Sequence, residues 1–194
     1  MKDLRILEDA EVIREARYGN RSAFDELVHR YEKQVLSIAA RYINQADDAK
    51  DVYQEVFMRV YRSLPKFEAR SEFSTWLYRI TTNVCLTHGK RRKRNAQRLQ
   101  HDDQGDGENE GHGEIGVSGD DPGRQLVSSE ISDRIGSAMT SLSPQQKMIF
   151  TLKHYEGYKL REIADMLECS EGTVKKHLFT AVQRLRNQLK DLYE

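Results

Sequence analysis

Lys90, Arg91, Arg92, Lys93 and Arg94 form an unbroken cationic run in the middle of the chain. Five cations in succession exceed what a helix C-terminus requires, so a phosphate surface is the better reading of them. Thr173, Lys175, Lys176, Phe179 and Thr180 lie off the apolar stripe of a late helix, where lysines can hold phosphates and threonines can touch base edges. Asp47, Asp48 and Asp51 are acids of the kind a metal-dependent nuclease clusters, but a helix start followed by a docking face accounts for them at least as well. Cys85 and His88 share a helix face without a second ligand pair, so they are read as incidental neighbours and no metal site is expected. Between Asp102 and Glu114 the calcium-loop pattern fails at Gln104 and Gly113. A glycine loop that cradles phosphate and an assignable Ser, His and Asp arrangement are both missing from the sequence, so neither an enzyme nor a cofactor is expected.

These residues must be positioned by helices. Residues 9–18 read as a short amphipathic helix stopped by Gly19 and Asn20, after which Ser22, with Asp25 completing a capping box, is expected to start a second. Phe24, Leu27, Val28, Tyr31, Val35, Leu36, Ile38, Ala39 and Tyr42 give that second helix a buried face ending near Ile43. A third helix is expected from about Ala46, capped by Asn44 and closed by Leu64 and Pro65, with Ala49, Val52, Val56, Phe57, Val60 and Tyr61 as its stripe. Asp51, Gln54, Glu55 and Arg59 are left on another face, either solvated or docked. The connection from Lys66 to Ser74 contains Phe67 and Phe73 and is too apolar for a free loop. It leads into a helix over 74–88 whose core spacing is Trp76, Leu77, Ile80 and Val84, with Arg79, Thr82, Asn83 and Thr87 beside it. Periodicity leaves open whether that polar set faces solvent or single-stranded bases.

Periodicity then stops. Residues 96–135 hold 3 Lys and Arg against 10 Asp and Glu, whereas residues 1–95 hold 19 against 14 and residues 136–194 hold 9 against 7. The zero net charge therefore averages two basic flanks and an acidic middle, and it does not weigh against nucleic acid. With seven glycines between Gly105 and Gly123 and few apolar residues, the middle reads as a flexible linker. Helical spacing resumes over 126–139, and Ser143, Pro144 and Gln146 form a cap, first-turn proline and box residue. From Leu160 an apolar stripe of Ile163, Ala164 and Leu167 is interrupted by Cys169, Ser170, Glu171 and Gly172. It restarts at Val174 and continues through Leu178, Ala181, Leu185 and Leu189, the pattern of a helix-turn-helix. The expectation is an all-α chain of two small helical domains, 1–95 and 127–194, joined by a flexible acidic Gly-rich linker, 96–126. Both cysteines stand apart, no run is long enough to span a membrane and no secretory signal is visible, so a cytoplasmic protein without direct membrane insertion is expected.

Four stretches in order, GNRSAFDELVHRY, DDAKDVYQEVFMRVYRSLPKF, FSTWLYRITTNVCLTHGKRRKR and LSPQQKMIFTLKHYEGYKLREIADMLECSEGTVKKHLFTAVQRLRNQL, resemble the bacterial sigma factors of the extracytoplasmic-function (ECF) group. The resemblance spans residues 19–94 and 142–189 and implies a non-enzymatic subunit that directs RNA polymerase core to promoters. It implies polymerase docking on the β′ clamp helices through Asp48, Asp51, Gln54, Glu55 and Phe57, with a further contact of the polymerase β flap. It implies binding of the minus-10 element through Lys66, Phe67, Arg70, Ser74, Arg79, Asn83, Lys90, Arg91, Arg92 and Lys93, and of the minus-35 element through Ser170, Glu171, Thr173, Lys175, Lys176, Phe179, Thr180 and Arg184. An anti-sigma factor is a further implied partner. Lys159 stands where relatives commonly have a capping Ser or Thr, and His177 and Thr180 stand where relatives usually have arginines, so the first helix of the motif must start differently and the minus-35 sequence is open. The rival readings are a two-domain helix-turn-helix regulator that acts on duplex DNA alone and a pure interaction protein. The regulator gives the stretches around Asp48–Phe57 and Trp76–Arg94 no role.

Overall fold

A computed structural model describes residues 4–43, 45–102 and 134–190. Among these residues every regular element is helical. A 3-10 turn at Leu4–Ile6 precedes α1 (Asp9–Arg17), α2 (Arg21–Ile43) and α3 (Ala46–Ser63). A second 3-10 turn, Leu64–Lys66, places proline where its missing N–H costs nothing, and α4 (Phe73–Asp102) follows. Residues 134–140 are also helical. The C-terminal unit continues with α5 (Pro144–Phe150), a π-helical turn at Thr151–Tyr155, α6 (Leu160–Met166) and α7 (Glu171–Gln188).

Helix starts follow local hydrogen bonding, and two differ from expectation. The cap of α2 is Asn20 rather than Ser22: after Gly19 turns the chain at φ +90°, Asn20 Oδ1 accepts from Ala23 N at 3.3 Å. Ser22 is left inside the first turn. Helix α3 starts at Ala46 behind an extended Gln45 with no side-chain cap, so Asp47 and Asp48 in the first turn supply the favourable charge; Asn44 lies outside the described residues. At α5 the full box forms, with Ser143 Oγ accepting from Gln146 N at 3.3 Å and Ser143 N donating to Gln146 Oε1 at 3.1 Å. Helix α6 has no capping hydroxyl at Lys159. Glu162 compensates by accepting from Lys159 N at 2.6 Å, which is half of a capping box.

The largest departure from the sequence reading is the length of α4, which runs on through the whole basic stretch to Asp102 instead of ending at His88. The apolar stripe ends there, but Lys, Arg, Gln and Leu are strong helix formers and no proline intervenes. Residues 96–102, assigned to the linker, are thus helical; the rest of that stretch and residues 126–133 lie outside the described residues. Gly89 permits a close approach within this helix, since a Cβ there would stand 2.9 Å from Tyr42 Oη on α2.

The two units share one core. Val12, Leu27, Val35, Ile38, Val52, Val56 and Leu77 from α1–α4 belong to the same buried apolar cluster as Met148, Leu152, Ile163, Met166 and Val174. The junction is made by α4, which packs on α2 and α3 on one side and on α5 and α6 on another. A second, smaller cluster of Ala138, Met139, Leu142, Ala181 and Leu185 secures the far end of α7.

Candidate nucleic-acid interface

The start of α4 is fixed by an aromatic nest. Phe67, Phe73 and Trp76 stand with ring centroids 4.9 to 5.7 Å apart, and the chain reaches them through a loop in which Ala69 adopts a left-handed φ of +53°. Phe67 is only 6% exposed, so in this structure it supports the loop from within. Lys66 and Arg70 on the same loop are exposed, Arg70 pairing with Glu68 at 2.6 Å, and Ser74 is half-buried.

Along α4 the polar set divides. Asn83 and Thr87 face solvent. Thr82 is fully buried and its hydroxyl donates to the carbonyls of Arg79 at 3.0 Å and Met166 at 3.5 Å, so it is a packing residue against α6. Arg79 reaches the same neighbour: one terminal nitrogen meets the Glu168 carboxylate at 3.0 Å and the other donates to the Asp165 carbonyl at 3.2 Å. Its Nε is buried without a partner among the described residues. Farther along, Lys90, Arg91, Arg92 and Arg94 are exposed; Arg92 is 3.6 Å from Asp48, and the Lys93 side chain lies outside the described residues.

On α3, Asp51 and Gln54 are exposed and Asp48 and Glu55 half-buried, forming one polar row on which Glu55 accepts from Arg59 Nε at 2.6 Å. Phe57 does not belong to that surface. It is 8% exposed and packs edge-on to Tyr53 at 5.0 Å, so it holds the row from below. Beside the row, Met58 and Tyr61 are about half exposed, an apolar margin that a helical stripe alone could not distinguish from core.

Helix α7, the second of the helix-turn-helix pair, is well anchored at its start. Ser170 Oγ accepts from Thr173 N at 3.1 Å, and Glu171 pairs with Lys175 at 2.8 Å; the hydrogen bond from Lys175 and its charge hold the Glu171 carboxyl below its usual range. Thr173, Lys175 and Lys176 are exposed, Thr180 half-buried, and Phe179 is 67% exposed, a large apolar ring aimed at solvent. Arg184 has a structural role as well, donating to Gln146 Oε1 at 3.2 Å in the α5 capping box. The turn before α7 carries Glu168 at φ +52°, a conformation that glycine usually fills and that no sequence signal announced.

Sequence reasoning also missed a polar seam across the shared core. Glu156, its side chain 6% exposed, accepts from Ser37 Oγ at 2.7 Å and stands 3.5 Å from Arg41 Nε. The Arg41 guanidinium lies over the Tyr155 ring at 4.7 Å, and Tyr78 and Tyr158 meet with centroids 5.7 Å apart. Lys147 sits over the Tyr42 ring, and burial, reinforced by the Arg92 charge, lowers its pKa to about 8. No local pattern marks these residues, because their partners lie far away in the chain, on the other unit. Burial raises the Cys85 thiol to about 12, which removes it as a ready thiolate, and among the described residues no group of three His, Cys, Asp or Glu is placed to hold a metal ion. Among the described residues no helix is long and apolar enough to cross a membrane.

Comparison with known proteins accounts for both units in order. The family model for Sigma-70 region 2 matches residues 27–95, and that for Sigma-70, region 4, matches residues 132–185. The ECF RNA polymerase sigma-E factor of Haemophilus influenzae is 33% identical over 96% of this chain and 97% of its own length. The ECF RNA polymerase sigma factor SigW of Bacillus subtilis is 30% identical over 93% of this chain and 96% of its own. Among solved structures, the sigma factor RpoE in complex with the anti-sigma factor NepR from Bartonella quintana superposes with a TM-score of 0.63, covering 86% of this chain and 96% of that one at 22% identity, a likeness of fold. With both regions matched and full-length relatives at this identity, the chain belongs to the ECF RNA polymerase sigma factors.

Proposed function

We propose that this sigma factor works as a bipartite, non-enzymatic reader in the cytoplasm: residues 1–95 dock on RNA polymerase core and take the minus-10 strand, and residues 127–194 hold the minus-35 duplex. The observation that carries this reading is α4. It runs without a break from the aromatic nest, past exposed Asn83, to the cations at 90–94, so base-facing and phosphate-facing groups share one rod. Unpaired bases offer edges and faces that a duplex hides, and binding them shifts duplex toward bubble without hydrolysis. On α3 the row of Asp48, Asp51, Gln54 and Glu55 suits the β′ clamp helices. On α7, exposed Thr173, Lys175, Lys176 and Phe179 suit the major groove, with Ser170, Glu171, Thr180 and Arg184 holding the start and flank of that surface. The β flap is the expected polymerase contact of the C-terminal unit. An anti-sigma factor that covers these surfaces would hold the protein inactive.

In vitro transcription with bacterial core polymerase over a randomised promoter library tests the whole reading, and a defined start site dependent on this protein is the expected result. Asn83→Ala should alter sequence preference near minus 10. Lys176→Ala should weaken upstream binding on all sequences and reduce the salt slope by about one, as loss of one phosphate contact does. The same loss from both variants on every promoter would show that base reading and phosphate anchoring are not divided in this way. A regulator acting on duplex DNA alone leaves the α3 row and α4 without a task, and both matched regions argue against it.

A further inference from the structure

The surface of α4 that the proposed function assigns to the promoter strand is partly occupied by the chain itself. Arg79 has its two terminal nitrogens on the turn of the helix-turn-helix, at Glu168 and the Asp165 carbonyl, and Thr82 beneath it touches Met166. A second set of contacts, Glu156 with Ser37 and Arg41, fastens the same two units on the α2 side. The apolar cluster running from Leu77 and Tyr78 to Leu152, Ile163 and Met166 makes the junction a packed one rather than a grazing contact. Yet Arg79 is not fully satisfied in it: Nε is buried and donates to nothing among the described residues. A guanidinium presents its donors as a planar fork that a phosphate fits in bidentate fashion, so a nucleic-acid backbone can offer Arg79 what the turn does not.

We propose that Arg79 is an exchange point: in the free protein it latches the helix-turn-helix unit onto α4, and a single-stranded promoter segment displaces Glu168 from it, opening the two units as the strand is taken up. The second half rests on the assignment of α4 to the minus-10 strand. The first half, closure, stands on geometry alone. Because the two uses of Arg79 exclude each other, linkage makes the coupling reciprocal: whatever loosens the latch tightens strand binding, and strand binding expands the protein.

The test uses the full chain and small-angle scattering, with a fluorescent single-stranded oligonucleotide of minus-10 length as the ligand probe. A compact chain of this length has a radius of gyration of about 16 Å, and the unaltered protein should lie near that value, allowing for the linker. The double variant Glu156→Ala with Glu168→Ala removes the latch acids while leaving Arg79 and Asn83 in place. It should expand by several Å at unchanged helicity and bind the oligonucleotide about fivefold or more tightly. To separate opening from misfolding, Glu168→Arg should expand the protein, and adding Arg79→Glu should restore compactness by reversing the pair. Equal dimensions for the unaltered protein and the double variant would overturn the latch, as would failure of the charge reversal to restore compactness. Expansion without any gain in oligonucleotide binding would overturn the exchange. If neither form binds the oligonucleotide at all, the assignment of α4 to the strand fails, and the scattering alone then decides closure.

Discussion

Arg30 shows how much can hang on a single side chain in a small helical unit. Its guanidinium donates to Asp9 at 2.6 Å, to Glu26 at 2.8 Å, and to the carbonyls of Leu4 and Leu7, each at 2.9 Å, while the Tyr31 hydroxyl closes the ring by donating to Asp9. The hydrogen bonds it donates to Glu26 and Asp9 raise the pKa of the guanidinium, and burial of the Tyr31 ring raises that of its phenol. Replacing Arg30 by Ala removes a donor from two carbonyls and two carboxylates at once, and a loss of about 2–4 kcal/mol in urea unfolding is expected. The polar row on α3, proposed to dock on polymerase, invites a second comparison. Phe57→Ala should cost about 3–5 kcal/mol because it empties core volume. Asp51→Ala, on an exposed site, should change stability by less than about 0.5 kcal/mol and still weaken binding to polymerase core. If Asp51→Ala binds core as the unaltered protein does, as measured by native gel shift or fluorescence anisotropy, the row is not the docking face. Phe57 and Phe67 are both buried, and for one reason this was not legible from the resemblance: it transfers a position, whereas the direction of a side chain there depends on which neighbours already fill the space beneath it.

Helices and their caps were legible where the signal is local and obscure where it is not. Ser143, Pro144 and Gln146 predict the α5 box because all its bonds lie within four residues. The end of α4 was misread because apolar periodicity reports a buried face, and a helix that leaves the core loses that face while keeping its backbone bonds. The turn before α7 was legible only as an interruption of the apolar stripe. Ser170, which the sequence reading left within the interruption, caps α7, and Ser170→Ala should lower stability by about 1 kcal/mol, read as a fall in the melting temperature. Glu168, two residues earlier, occupies a left-handed conformation with no glycine to flag it. Glu168→Gly should relieve about 1 kcal/mol of backbone strain while removing the acid that meets Arg79. Its melting temperature and its compactness should therefore part company, the turn gaining order as the junction loses an ion pair. A Glu168→Gln control removes the charge without relieving the strain, so it should weaken the junction without that local gain.

At the scale of the molecule, the two matched regions were legible in order and extent, but their mutual packing was not, because a junction built from Ser37, Arg41, Tyr78 and Arg79 against Glu156, Tyr158, Asp165 and Met166 has no sequence period. Lys147 offers a measurement of that junction. It faces Tyr42 of α2 and the Arg92 charge of α4, both on the opposite unit, and its pKa is lowered to about 8, chiefly by burial. A lysine whose pKa is depressed in the packed state binds its proton more tightly when the units separate. Falling pH therefore favours separation, and the penalty grows as pH drops from the ordinary value of 10.5 to about 8, below which both states carry the proton and the effect is constant. Raising pH through 8 toward 9 should accordingly compact the protein, seen as a rise in sedimentation coefficient. Lys147→Met, which keeps the length of the stem and discards the charge, should be compact at pH 7 and show a flatter profile. A Lys147→Met profile parallel to that of the unaltered protein would assign the pH response to another group, the Tyr42 phenol being excluded because its burial raises its pKa well above this range.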